Sequence, residues 1–171
     1  MKKFTKLFVG AVASLAMVPA ASAGTFTPTP GSTAYSLDVE VRKLLTLNCE
    51  LTAEISSNGT ITGDKTTTGT QVDSIGLAAG DSNCSNVAFT SVNMPVTYVD
   101  ANTIRIHDIY VAGITGDCSG YLDADVLAGG ILSFRHTNSI PRVTGIGNCS
   151  VQSDDVLNPV TTTPAVSYTY P

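Results

Sequence analysis

With 171 residues, 14 acidic against 9 basic side chains and a formal net charge of −5, the chain has the length of one domain and lacks the basic stripe that phosphate binding needs, which argues against a nucleic-acid partner. Only 13% of its residues are charged, against about a quarter in an average globular chain. Threonine, serine and glycine must therefore cover much of the surface.

Lys2, Lys3 and Lys6 open the chain, residues 7–20 are almost wholly apolar, and Ala21-Ser22-Ala23 has the small-x-small form of a cleavage site. Residues 1–23 read as a secretory signal peptide, because the apolar run is shorter than the roughly 20 residues a membrane helix requires. No later stretch is apolar for even half that length. The expectation is an exported chain, secreted or held at the cell surface, with no transmembrane segment in its mature part. All the acidic residues but only six basic ones lie beyond the leader, so the mature protein is more acidic than the whole chain.

Residues 24–36, "GTFTPTPGSTAYS", form a Pro/Thr-rich N-terminal arm, either loose or pairing as an edge strand. Residues 37–171 then make a single domain that ends in a second Pro/Thr-rich tail, "NPVTTTPAVSYTYP". A first strand is expected over Ala34 to Val41. The clearest follows over Leu45 to Ile55, where Leu45, Leu47, Cys49, Leu51, Ala53 and Ile55 alternate with polar residues, which turns Cys49 into a core. Asn58-Gly59 has the form of a type I′ hairpin turn between Ile55 and Thr60. Further strands are expected over Val87 to Val92, Val96 to Val99 and Thr103 to Val111. Ile104 and Ile106 lie on one parity there but Ile109 and Val111 on the other, so a bulge near His107 or Asp108 is required.

Beyond these, Cys118 shares a face with Leu122, Ala124 and Val126, while Tyr121, Asp123 and Asp125 face away. Gly129-Gly130 makes a turn before a strand over Ile131 to His136, and Val143 to Ile146 completes the series. No segment has a long apolar stripe of 3.6-residue period. Many short strands with frequent turns predict an all-β fold, an antiparallel β-sandwich of immunoglobulin-like or similar form.

Four cysteines, Cys49, Cys84, Cys118 and Cys149, are an even number in an exported chain, and two disulfides are their expected fate. Zinc ligation would need pairs two to four residues apart, whereas neighbours here are separated by about thirty residues or more. Nucleophilic use would need a partnering histidine, and neither His107 nor His136 sits in a catalytic-cysteine motif. Three pairings are open, and neighbours in sequence, Cys49 with Cys84 and Cys118 with Cys149, are favoured. Each such loop contributes about 4 kcal/mol in the chain-entropy model.

Asp123-x-Asp125 begins like an EF-hand loop, but Leu127 stands at the next ligand position and no glutamate closes the loop. Both are expected as solvent-facing carboxylates, and Asp154-Asp155 as a solvated turn. The chain has no Gly-x-Ser-x-Gly elbow, His-Glu-x-x-His, Walker loop or Gly-x-Gly-x-x-Gly. His107-Asp108 and His136 are the only material for a dispersed triad. The expectation is a non-enzyme with no catalytic, cofactor-binding or metal-ligating residues, its four cysteines being the only site residues.

The lead-in "TPTPGSTAYSL", the strand "LLTLNCELTAEI", the second cysteine at "NCSNVAFT", then "MPVTYVDANTIRIHDIYVAGITGDCSGYL", "GGILSFR" and "IPRVTGIGNCSV" follow one another along the mature chain. In this order of cysteines and strands the chain resembles the secreted bacterial protein activators of alkane oxidation. One departure is that no tryptophan follows Met94-Pro95, and the chain has none. The resemblance implies a non-catalytic exported accessory protein that helps cells use hydrophobic substrates, with hydrocarbon or cell-surface components as partners. The alternative from another class is a self-assembling pilus or fibre subunit, joined by strand addition.

Overall fold

A computed structural model describes residues 22–171. The expected signal peptide lies outside the described residues apart from its last two positions, Ser22 and Ala23. The first strands are β1 (Ala23–Thr27), β2 (Ser32–Lys43), β3 (Leu45–Ser57), β4 (Thr60–Thr62) and β5 (Thr70–Gly80). A 3-10 turn at Cys84–Asn86 precedes β6 (Ala88–Phe89), β7 (Met94–Tyr98), β8 (Thr103–Ala112) and β9 (Cys118–Leu127). The chain ends with β10 (Ile131–Phe134), β11 (Ser150–Gln152), β12 (Val160–Thr163) and β13 (Ser167–Thr169). Residues 24–36 thus contain most of β1 and the start of β2. Val143 to Ile146 is an exposed loop instead of a strand, and Val87 to Val92 contributes only the two residues of β6.

The expected sandwich is wrong: the sheet closes on itself. Antiparallel pairing runs β2-β12-β10-β9-β8-β7-β5-β3, and β3 pairs back onto β2 from Ser32↔Ile55 to Lys43↔Leu45, making an eight-stranded barrel. Alternation along a strand shows only that one face is buried, and a barrel and a sandwich bury that face equally well. Closure comes from bends. The ladders shift register between Ser36 and Val39, between Glu54 and Ile55, and between Ile106 and Ile109. Each irregularity tightens the local coil and turns its strand around the axis. The last falls at the expected place, with Asp108 at φ 54°.

The interior is packed with Val39, Leu51, Met94, Val96, Ile109, Leu122, Ala124 and their neighbours in a single apolar cluster. Inward and outward residues alternate on β9 as expected, with Cys118, Leu122 and Ala124 buried and Tyr121 exposed. This polarity is opposite to that of a barrel with an outward apolar band in lipid. No helix among the described residues is long and apolar enough to cross a membrane.

The barrel's two ends are closed differently. Asn58-Gly59 does not make a hairpin, because β3 and β4 do not pair. The Asn58 side chain accepts from the Thr60 amide at 3.0 Å, and the chain leaves the barrel wall there to form a separate sheet of order β13-β1-β4. This sheet brings Phe26 and Ile61 into the core from one end. The opposite end, where β2 turns into β3 and β8 into β9, is closed by loops and disulfides.

Candidate functional site

The loop-closed end carries an exposed apolar surface built from three loops. The β2–β3 turn places Leu44 and Leu45 there, the β8–β9 loop adds Ile114, and residues 142–148 add Val143 and Ile146. All five are between 51% and 67% exposed. Single exposed aliphatic residues are ordinary, but several on three adjoining loops make an apolar rim. Sequence alternation places Leu45 inside with Leu47 and Cys49. It is exposed because it opens the strand beyond the point where the wall is closed.

Lys43 holds the rim together from within. It continues the inward parity of Val39 and Val41 and is only 9% exposed. Its ammonium donates to the carbonyl oxygens of Thr144 at 2.8 Å and Asp117 at 3.2 Å, tying the two outer loops to β2. The Thr115 hydroxyl donates back to the Lys43 carbonyl at 3.1 Å. The loops themselves touch through glycine: a Cβ on Gly145, at φ 75°, would lie 2.0 Å from the Thr115 carbonyl oxygen. Only glycine permits both that φ and that approach.

Two disulfides fasten the same end. Cys49 on β3 is bonded to Cys84 in the 3-10 turn, and Cys118 at the start of β9 to Cys149 ahead of β11. Between these elements lies an apolar slot of about 30 Å³, lined by Val41, Leu47, Val87, Val111 and Ile114 among others. That is space for about one water molecule. The barrel is filled by its own side chains, and the rim presents aliphatic side chains outward.

The other candidate residues lie elsewhere and apart. Asp123 and Asp125 face outward from β9, yet they are not free carboxylates. Arg105 holds Asp123 through two bonds of 2.7 and 2.9 Å and stacks on the Tyr121 ring at 3.8 Å, while Arg135 holds Asp125 at 2.6 Å. Sequence parity gave their direction correctly, but their arginine partners come from β8 and from beyond β10. Among the described residues no group of three or more histidine, cysteine or acidic residues is placed to hold a metal. In the Asp154-Asp155 turn, Asp154 accepts from the Val156 and Leu157 amides, which hold its carboxyl below the usual range.

His107 on β8 lies 2.8 Å from the Thr97 hydroxyl through Nε2, and His136 lies 3.0 Å from the Gln152 side chain through Nδ1. Asp108, next to His107, is paired with Lys65 instead. The two histidines are thus on separate elements with separate partners. Burial, reinforced by Arg105, holds the His107 imidazole below its ordinary value. A base depressed in the folded state contributes stability that is present above about pH 6.5 and lost as pH falls toward its folded value. The melting temperature should therefore fall on going from pH 7.5 to 5, and His107→Gln should flatten that part of the profile. An unchanged profile in the variant would remove His107 as its source.

No curated protein and no solved structure matches the chain. A family model described as alkane oxidation protein activator PraA/PraB-like matches residues 1–170, and the chain therefore belongs to the PraA/PraB-like family of alkane oxidation activators.

Proposed function

We propose that this protein is an exported, non-catalytic accessory that meets a hydrophobic phase outside the cell through its apolar rim. The observation that carries the reading is the set Leu44, Leu45, Ile114, Val143 and Ile146, held outward on loops that Lys43 and the Cys118–Cys149 bridge fasten. A filled interior supports surface contact over uptake, since the slot beneath the rim is far smaller than an alkane chain. Two disulfides support an oxidising, extracytoplasmic environment. Membership of a family of activators of alkane oxidation supports the identity of the hydrophobic phase.

The test is complementation from outside. Purified mature protein added to a strain lacking its gene should restore growth on a long-chain alkane in proportion to dose, with no requirement on a soluble carbon source. Leu44→Ser, Ile114→Ser and Ile146→Ser together should abolish restoration while leaving the melting temperature nearly unchanged, because all three side chains are exposed. Equal restoration by the triple variant would overturn the rim as the contact surface. A deletion strain that grows normally on alkanes but loses surface fibres would support the fibre-subunit alternative in its place.

A further inference from the structure

The rim holds more than aliphatic side chains. Six basic residues lie among the described residues: Arg42, Lys43, Lys65, Arg105, Arg135 and Arg142. Three are engaged with carboxylates away from the rim: Lys65 with Asp108, Arg105 with Asp123 and Arg135 with Asp125. The other three have no carboxylate ion-pair partner among the described residues, and all three stand at the rim. Arg42 directly precedes Lys43-Leu44-Leu45 and is exposed, its backbone paired with Ser150 on β11. Arg142 directly precedes Val143 and is exposed, its backbone bridged to Cys118. The only acid in these loops, Asp117, accepts from the Tyr110 hydroxyl at 3.0 Å.

On a chain of net charge −5, this concentration of unpaired cations is the reverse of the overall balance. A neutral hydrocarbon gains nothing from them. A layer with apolar chains and anionic headgroups uses both parts of the surface: aliphatic side chains enter the acyl boundary, and long arginine side chains beside them reach headgroup oxygens with planar, multiply donating guanidinium groups.

We propose that the rim docks on a lipid bilayer surface carrying anionic headgroups, with Arg42 and Arg142 as the headgroup contacts and Leu44, Ile114 and Ile146 as the inserted side chains. Lys43, whose ammonium already serves two carbonyls, holds the loops in place. This assignment rests on the reading that the rim meets an apolar phase, and it adds the charge of the partner. The protein would then anchor to a membrane surface by the same end that meets hydrocarbon, so that the two compete for it.

Co-sedimentation of the mature protein with vesicles tests this. Binding is expected to phosphatidylcholine vesicles containing phosphatidylglycerol and not to phosphatidylcholine alone, and it should weaken as salt is raised, since screening shortens the reach of the charges. Arg42→Gln with Arg142→Gln should lower the partition coefficient roughly five-fold for each charge removed, and Lys65→Gln, whose partner is on the barrel wall, should leave it unchanged. Equal binding to both kinds of vesicle, no binding to either, or full binding by the double arginine variant would overturn the proposal. Adsorption to hexadecane droplets is measured in parallel. Droplet adsorption without vesicle binding sinks this proposal alone, and vesicle binding without droplet adsorption sinks the hydrocarbon reading alone. Binding confined to droplets coated with fatty acid would transfer the cations to a different anion source and overturn the bilayer assignment.

Discussion

Replacing Cys118 and Cys149 together with Ala should lower the free energy of unfolding by about 4 kcal/mol, the chain-entropy value for a closed loop of this length. The bridge spans 31 residues. Beyond β10 the second half of that loop lies in no strand of the barrel. It is held by the buried Ile140, by the Asn138 side chain bonding to β9, by the isolated bridges Cys118↔Arg142 and Ile140↔Cys149, and by hydrogen bonds from Ser119 to Pro141, from Val143 and Thr144 to Asp117, and from Lys43 to Thr144. Val143 and Ile146 ride on this segment. Amide exchange should therefore accelerate over residues 140–149 by more than in the barrel strands, and activity that depends on the rim should fall even below the melting temperature. A stability loss under about 1 kcal/mol, with residues 140–149 still protected, would show that Lys43 and the ladder hold the segment without the bridge. The double substitution is needed, because a single one leaves a free thiol in a buried site.

The strands that could be read from the sequence are those whose alternation is unbroken. Leu47 to Ile55 and Leu122 to Ala124 kept their parity and their burial. Strand β5 left no such mark: Thr70 and Val72 are buried on one parity and Ile75 on the other, because a register shift opposite Glu54 and Ile55 intervenes. The same bulges that obscure periodicity close the barrel. Closure itself rests on pairs such as Thr162↔Ala34, where one strand finds a partner more than a hundred residues away. Nothing in local pattern specifies such a pairing, which is why the layer architecture was misread while the all-β class was legible.

The rim was hidden for a related reason. Leu44, Ile114 and Ile146 are single aliphatic residues in three separate turns, and a single aliphatic residue in a turn has no signature. Val143 to Ile146 even resembled a short strand. Only the approach of Gly145 to Thr115 and the reach of Lys43 to Thr144 bring these turns together. Lys43 follows the buried parity of Val39 and Val41, and a charged residue on that face, just past the expected strand end at Val41, is the one signal that could have pointed to this end of the barrel. The arginines gave none, since their lack of acidic partners is a property of the folded surface.

At the opposite end, Phe26→Ala should cost about 3–5 kcal/mol, the range for removing a large buried aromatic side chain. Phe26 is 1% exposed, and with Gly24 it is all that β1 buries. The strand is otherwise held by pairing with β4 and β13 and by the Phe26 backbone, whose amide donates to the Gly59 carbonyl and whose carbonyl accepts from the Ser57 hydroxyl. Hydrogen exchange should report loss of protection over residues 23–27 and 167–169 ahead of the barrel, because the barrel ladder closes without either strand. The same sheet should also loosen in alkali. Burial, with Tyr170 and Asp100 acting in the same sense, pushes the Tyr168 hydroxyl above the ordinary tyrosine range, and that hydroxyl donates to the Asp100 carbonyl at 2.8 Å. An acid raised in the folded state contributes stability that is complete below its unfolded value of about 10 and lost as pH rises beyond it. Tyr168→Phe should remove that alkaline slope at some cost in stability near neutrality. If Phe26→Ala instead lowers stability by less than about 1 kcal/mol and leaves residues 167–169 protected, β1 is a dispensable arm and the end of the barrel is closed by β4 and β13 alone.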